Sequence, residues 1–103
     1  MPRDLYAEYT VLPGHEERVA EMMRELIPLV QAEPGNLMFL AFTLAEQPRK
    51  YFVMERYSDD EAFRQHMAAE YGHRFNAEIG EHIEGDMTSL TWLEEFAHQN
   101  EAA

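Results

Sequence analysis

The chain has 103 residues, a formal net charge of -12 from 20 acidic against 8 basic side chains, and no cysteine. Such acidity repels phosphate backbones and anionic lipid, which argues against nucleic acid and membrane as partners. The missing thiols exclude disulfides, thiolate nucleophiles and cysteine-held metal or iron-sulfur sites.

A chain of this length predicts one domain, and it buries only about two thirds of its unfolded surface, so association helps it. The start, Met-Pro-Arg-Asp, lacks an apolar signal core, and no run nears about 18 apolar residues; the expected compartment is the cytoplasm.

Leu5 to Leu12 alternates, with Leu5, Ala7, Tyr9 and Val11 on one face, and reads as a strand ended by Pro13-Gly14. From Glu16, the residues Val19, Met22, Met23, Leu26 and Val30 recur at helical spacing, with Glu16 and Glu17 at the positive helix end. Pro28 removes one donor and should bend the last turn before Glu33-Pro34-Gly35 closes the helix.

Asn36 to Leu44 and Lys50 to Tyr57 then read as a hairpin joined through Glu46-Gln47-Pro48-Arg49. Both runs are apolar on both faces: Leu37, Phe39 and Ala41 point one way, and Met38, Leu40, Phe42 and Leu44 the other. Ser58 and Glu61 have the spacing of a capping box, which starts a helix striped by Phe63, Met67 and Tyr71. Gly72 should interrupt it, and a second run follows with Phe75, Ile79 and Ile83. Met87 to Phe96 is the last strand, with Leu90, Trp92 and Phe96 on one side, and residues 97–103 form a frayed or partner-contacting tail.

This order predicts an α+β chain on the ferredoxin-like, split βαβ plan, with a four-stranded antiparallel sheet in a domain over 1–96. Helices cover one sheet face in that plan, so the apolar back needs another cover. A second copy of the sheet is the simplest one, giving a homodimer that closes into an α+β barrel and keeps a hollow under each pair of helices.

Ala32-Glu33-Pro34-Gly35-Asn36-Leu37, then Val53-Met54-Glu55-Arg56-Tyr57-Ser58-Asp59 and Glu61-Ala62-Phe63-Arg64-Gln65-His66-Met67, carry a family resemblance that spans about Leu5 to Phe96. The chain resembles the antibiotic biosynthesis monooxygenase family, small dimeric ferredoxin-like proteins that include quinol monooxygenases. Many members have Trp where Tyr57 stands, and a His-Phe pair where Tyr71-Gly72 stand; the nearest histidine here is His73. The haem-degrading branch matches least, since its strand Asn falls on Tyr9 and its helix Trp near His66.

His66, three residues after Phe63, is an ionisable ring on the sheet-facing side of its helix and the candidate base for a phenol or hydroquinone proton. His73 and His82 follow at gaps of seven and nine, against the three or four of helical metal ligands, so no metal site is expected. Tyr9, Phe42, Tyr71, Phe75 and Trp92 offer planar surface to a small aromatic molecule, and Arg56, Glu55 or tyrosine hydroxyls would fix its oxygens; His73 completes the substrate-binding candidates. No flavin signature or phosphate loop is present and no cofactor is expected.

The leading expectation is a cofactor-independent monooxygenase that oxidises a phenolic or quinol-type substrate with molecular oxygen. A non-redox isomerase or epimerase of a small carbonyl compound, using His66 and Glu55, and a non-catalytic small-molecule-binding dimer are the alternatives.

Overall fold

The computed structural model describes residues 1–97, and its first strand, β1 (Arg3–Thr10), buries Leu5, Ala7 and Tyr9 while Tyr6 and Glu8 turn to the opposite side. β1 pairs antiparallel with β3 (Gln47–Tyr57) on one edge and with β4 (Ser89–Leu93) on the other. β2 (Asn36–Leu44) pairs with β3, so the sheet has four antiparallel strands in the order β2-β3-β1-β4. With α1 (Glu16–Gln31) following β1, and α2 (Asp60–Ala68) and α3 (Glu70–Ile79) following β3, this is the α+β ferredoxin-like fold.

The helices lie on the face that carries Leu5, Ala7, Tyr9, Phe39 and Val53. α1 supplies Val19, Met22, Met23 and Val30 to the core between the layers, and Ile79 and Ile83 close its far end. Each such side chain, fully buried, contributes about 1.5–3 kcal/mol relative to exposure. No described helix is long and apolar enough to cross a membrane.

Several local expectations are corrected. β3 begins at Gln47, not Lys50, because the register slips between Thr43, opposite Tyr51, and Leu44, opposite Gln47. That bulge absorbs Pro48, which has no N–H to give a ladder. A second slip, between Asn36 and Met38, throws Leu37 out of the alternation, leaving it exposed while Phe39 is buried. β1 stops at Thr10, and Val11 continues only as an isolated bridge to Ile83.

The capping box does not form. The Ser58 N–H donates to the Gly35 carbonyl at 2.9 Å, and Asp59 caps α2 instead, its Oδ1 accepting the Ala62 N–H at 2.8 Å. Aspartate is as good a cap as serine, and Glu61 pairs with Arg64.

The break between α2 and α3 falls at Ala69, whose backbone is extended; Gly72 lies inside α3. α3 ends at Ile79 rather than running on to Ile83, because the Leu12 N–H bonds the His82 carbonyl and the Glu84 N–H the Thr10 carbonyl, both at 2.9 Å, which draws Ile83 into a bridge with Val11. α1, as expected, runs on through Pro28 to Gln31, with the Ala32 N–H donating to the Pro28 carbonyl at 3.1 Å. β4 is shorter than read: Met87 and Phe96 lie outside it and are exposed. The expected tail, apart from Ala97, lies outside the described residues.

Candidate active site

Gly35 decides where α2 rests. A Cβ there would fall 2.3 Å from the Ala62 Cβ and 3.3 Å from the Ser58 Oγ, so only glycine lets the helix seat on the backbone at the start of β2. One helical turn past Ala62 comes His66, and two residues before Gly35 comes Glu33, so the same contact brings these two side chains together. The His66 Nδ1 lies 3.1 Å from each Glu33 carboxylate oxygen. From the outer side, the Tyr71 hydroxyl donates to Glu33.

On the inner side, His66 Nε2 lies 3.9 Å from Glu55 Oε1, and Glu55 accepts a hydrogen bond of 2.7 Å from the Tyr57 hydroxyl. The Tyr57 ring lies beside the imidazole with centroids 4.9 Å apart, while Phe63 and Phe39 stand at 6.1 and 6.3 Å. A polar row, Tyr71–Glu33–His66–Glu55–Tyr57, thus runs from the helix surface into an aromatic interior.

His66 and Glu55 of this row line a cavity of about 420 Å³ between the helices and the sheet, walled by Leu5, Ala7, Met23, Phe39 and Val53 and by Phe75 of α3. That volume and its mostly apolar wall suit a small flat molecule, and His66 and Glu55 are ionisable groups lining it. Tyr9 also borders the cavity; its ring stacks on Tyr51 at 5.1 Å, and its buried hydroxyl has no hydrogen-bond partner.

Burial raises the Glu55 carboxyl above its usual range, a trend opposed by the Tyr57 hydrogen bond and by the neighbouring imidazole. Burial, then the charge of Glu55, raises the Tyr57 phenol as well, and Tyr71 is raised by burial and by its bond to Glu33. Because folding raises the Glu55 pKa, the folded chain holds this proton more tightly than the unfolded one. Its stabilising contribution is complete below the unfolded value of 4.5 and is lost as pH climbs through the folded value. Glu55→Gln keeps an acceptor for Tyr57 and removes the charge. The variant is expected to melt above the wild type at mildly alkaline pH and level with it at pH 4.5, as thermal unfolding at the two pH values will read.

The sheet parity separates the other sequence candidates. Phe75 borders the cavity beside His66 and Tyr9. Trp92 is on the same sheet face, packed edge-on against Phe63 at 4.8 Å with the Arg3 guanidinium 4.4 Å over its ring. Tyr71 stands outside, on Glu33. His73 donates from Nε2 to the Met67 carbonyl at 2.9 Å and ties α3 to the end of α2.

Phe42 and Arg56 lie on the opposite face of the sheet. Phe42 is opposite Phe52, and the Arg56 guanidinium grips Asp4 with bonds of 2.6 and 2.9 Å. They alternate with the inward residues of their strands, and a period of two places them away from the cavity.

His82 is far from His66 in the fold. Its Nδ1 meets the His15 Nδ1 at 2.8 Å and its Nε2 donates to Glu78 at 2.9 Å. Among the described residues no three metal-ligating side chains cluster.

Sequence reasoning passed over Glu33 as a site residue, and took Tyr57 only as a departure from a motif. Glu33 carried a signal, since a carboxylate just past the negative end of α1 opposes the helix dipole and needs a partner. For Tyr57 the signal was parity with Val53 and Glu55, which puts the phenol beside a lone carboxylate on an otherwise apolar face.

The family model for antibiotic biosynthesis monooxygenases matches residues 5–78. None of the curated proteins matches the chain. Among solved structures, a protein from Pseudomonas aeruginosa is 25% identical with a TM-score of 0.85, over 93% of this chain and 95% of that one. One from Mycobacterium tuberculosis is 20% identical with a TM-score of 0.85 over the full length of both chains. A structure described as an antibiotic biosynthesis monooxygenase is 23% identical with a TM-score of 0.86, over 94% of this chain and all of that one.

Proposed function

The chain belongs to the antibiotic biosynthesis monooxygenase family, and from that membership we propose that it is a cofactor-independent monooxygenase that oxidises a small phenolic or quinol-type substrate with molecular oxygen. The observation that carries the reading is the apolar cavity of about 420 Å³ lined by one imidazole and one buried carboxyl. His66 takes the phenolic proton; the O–H bond breaks, an N–H bond forms, and the electron pair stays on the substrate oxygen. The resulting phenolate is electron-rich enough to reduce oxygen. One oxygen atom remains in the product and the other leaves as water, so the substrate itself supplies all four electrons. The protein contributes proton removal, orientation of the ring against the aromatic wall, and exclusion of water.

A homodimer is part of this proposal. Leu40, Phe42 and Leu44 stand 46%, 53% and 42% exposed on the back of the sheet, and a second copy of the same face would cover them.

The test is oxygen uptake by the purified protein with a panel of hydroquinones, with isotopic label from molecular oxygen followed into the product. The proximity of His66 Nε2 and Glu55, 3.9 Å apart, favours one rival, since two proton carriers side by side are what an isomerase of a small carbonyl compound needs. Turnover without oxygen, with solvent deuterium entering the product, would decide for that rival.

A further inference from the structure

The geometry points to Glu33 as the residue that sets the protonation pattern of His66: it holds the proton on Nδ1 and leaves the Nε2 lone pair turned to the cavity, with Tyr71 as the outer brace. An ionised carboxylate can only accept a hydrogen bond, and both Glu33 oxygens lie 3.1 Å from Nδ1, so that nitrogen must carry the hydrogen. The other nitrogen lies 3.9 Å from Glu55, too far for a hydrogen bond, and both residues line the cavity.

Fixing the tautomer matters because a free imidazole can present either nitrogen as the base, and a ring with its hydrogen on Nε2 has nothing with which to take a proton from a bound molecule. Tyr71 donates to the same carboxylate and stops it from rotating away from the ring. The carboxylate does not reach the substrate; it acts through the histidine and is a positioning residue. The arrangement is built by backbone contacts outside the cavity, the close approach of Gly35 to Ala62 and the turn through Pro34, so it is present before any ligand binds.

This role rests on the proposed proton removal by His66, and the test separates the two. Nitrogen-15 labelling at histidine and long-range correlation spectra of the unliganded protein show which ring nitrogen carries hydrogen. Wild type above neutral pH is expected to show His66 with a protonated Nδ1 and a bare Nε2. Glu33→Gln, close in shape but able to present either an oxygen or an amide nitrogen, should mix the two tautomers. Tyr71→Phe should broaden the signals and keep the wild-type preference.

In turnover, Glu33→Gln is expected to lower kcat about 10- to 100-fold with KM within about twofold, the scale of losing a residue that orients a reacting group. A wild-type ring with its hydrogen on Nε2, or a spectrum left unchanged by Glu33→Gln, overturns the assignment. The spectra need no substrate, so a protein that fails to consume oxygen refutes the oxygenase reading while the tautomer still decides the role of Glu33.

Discussion

His66→Ala is expected to lower kcat/KM for oxygen uptake with an active hydroquinone by about 10² to 10⁴-fold, the range a positioned general base supplies. Most of the loss should fall on kcat. The cavity walls that bind the ring are aliphatic and aromatic side chains of β1, β3 and the helices, and the substitution leaves them in place.

Folding should survive as well, since Glu33 keeps the Tyr71 hydroxyl and Glu55 keeps the Tyr57 hydroxyl. Two controls separate chemistry from shape. His66→Gln refills most of the lost volume without a base of suitable pKa and should be as slow as alanine. Imidazole added to the alanine variant can enter the space left between Tyr57 and Phe63 and should restore part of the rate, and it should do nothing for the glutamine variant. Steady-state oxygen consumption measures all three, and a rate unchanged in His66→Ala removes that residue from the mechanism.

The sequence carried the architecture because the signals that matter for it are periodic and local. Val19, Met22, Met23 and Val30 could only be a helix stripe, and Leu5, Ala7 and Tyr9 only a strand face, and both are buried as read. The local errors came where a neighbour took the role a motif assigned. Asp59, next to Ser58, caps α2, and the Ser58 N–H that a capping box would give to Glu61 goes to the Gly35 carbonyl; the helix break lies at the extended Ala69, and Gly72 continues α3.

The candidate site was half legible. The place of His66 beside Phe63 puts it on the sheet side of its helix, where it lines the cavity, but its partner Glu33 lies 33 residues away and is joined to it by the Gly35–Ala62 contact, which no pattern in one sequence displays. Phe42 and Arg56 show the complementary failure: they belong to strands that are apolar on both faces, so composition could not say which parity faces the helices. Only the pairing of Phe42 with Phe52 and of Arg56 with Asp4 fixes it.

That same parity makes the back of the sheet the place where the largest change in assembly is expected. Leu40 and Phe42 stand out from β2, Phe52 and Met54 are their partners on β3, and Tyr6 on β1 leans on Phe52 with ring centroids 6.1 Å apart. Two ion pairs across β1 and β3, Asp4–Arg56 at 2.6 Å and Glu8–Lys50 at 3.1 Å, satisfy the charges that share this face, so an apposed copy need not leave them unpaired. A two-fold partner would place the apolar strip of one sheet against that of the other.

Leu40→Asp combined with Phe42→Asp puts four carboxylates into such an interface, each costing at least about 1 kcal/mol when it loses water without a partner. At about 1.4 kcal/mol per factor of ten, the dissociation constant should rise by about 10³-fold or more, enough to turn a stable dimer into a monomer at micromolar concentration. Leu29→Lys, at an exposed position on α1 on the helix side, should leave assembly unchanged. Sedimentation equilibrium distinguishes these outcomes, and circular dichroism checks that the double variant is folded. A wild type that sediments as a monomer would show that the strip meets water, and the homodimer would have to be given up.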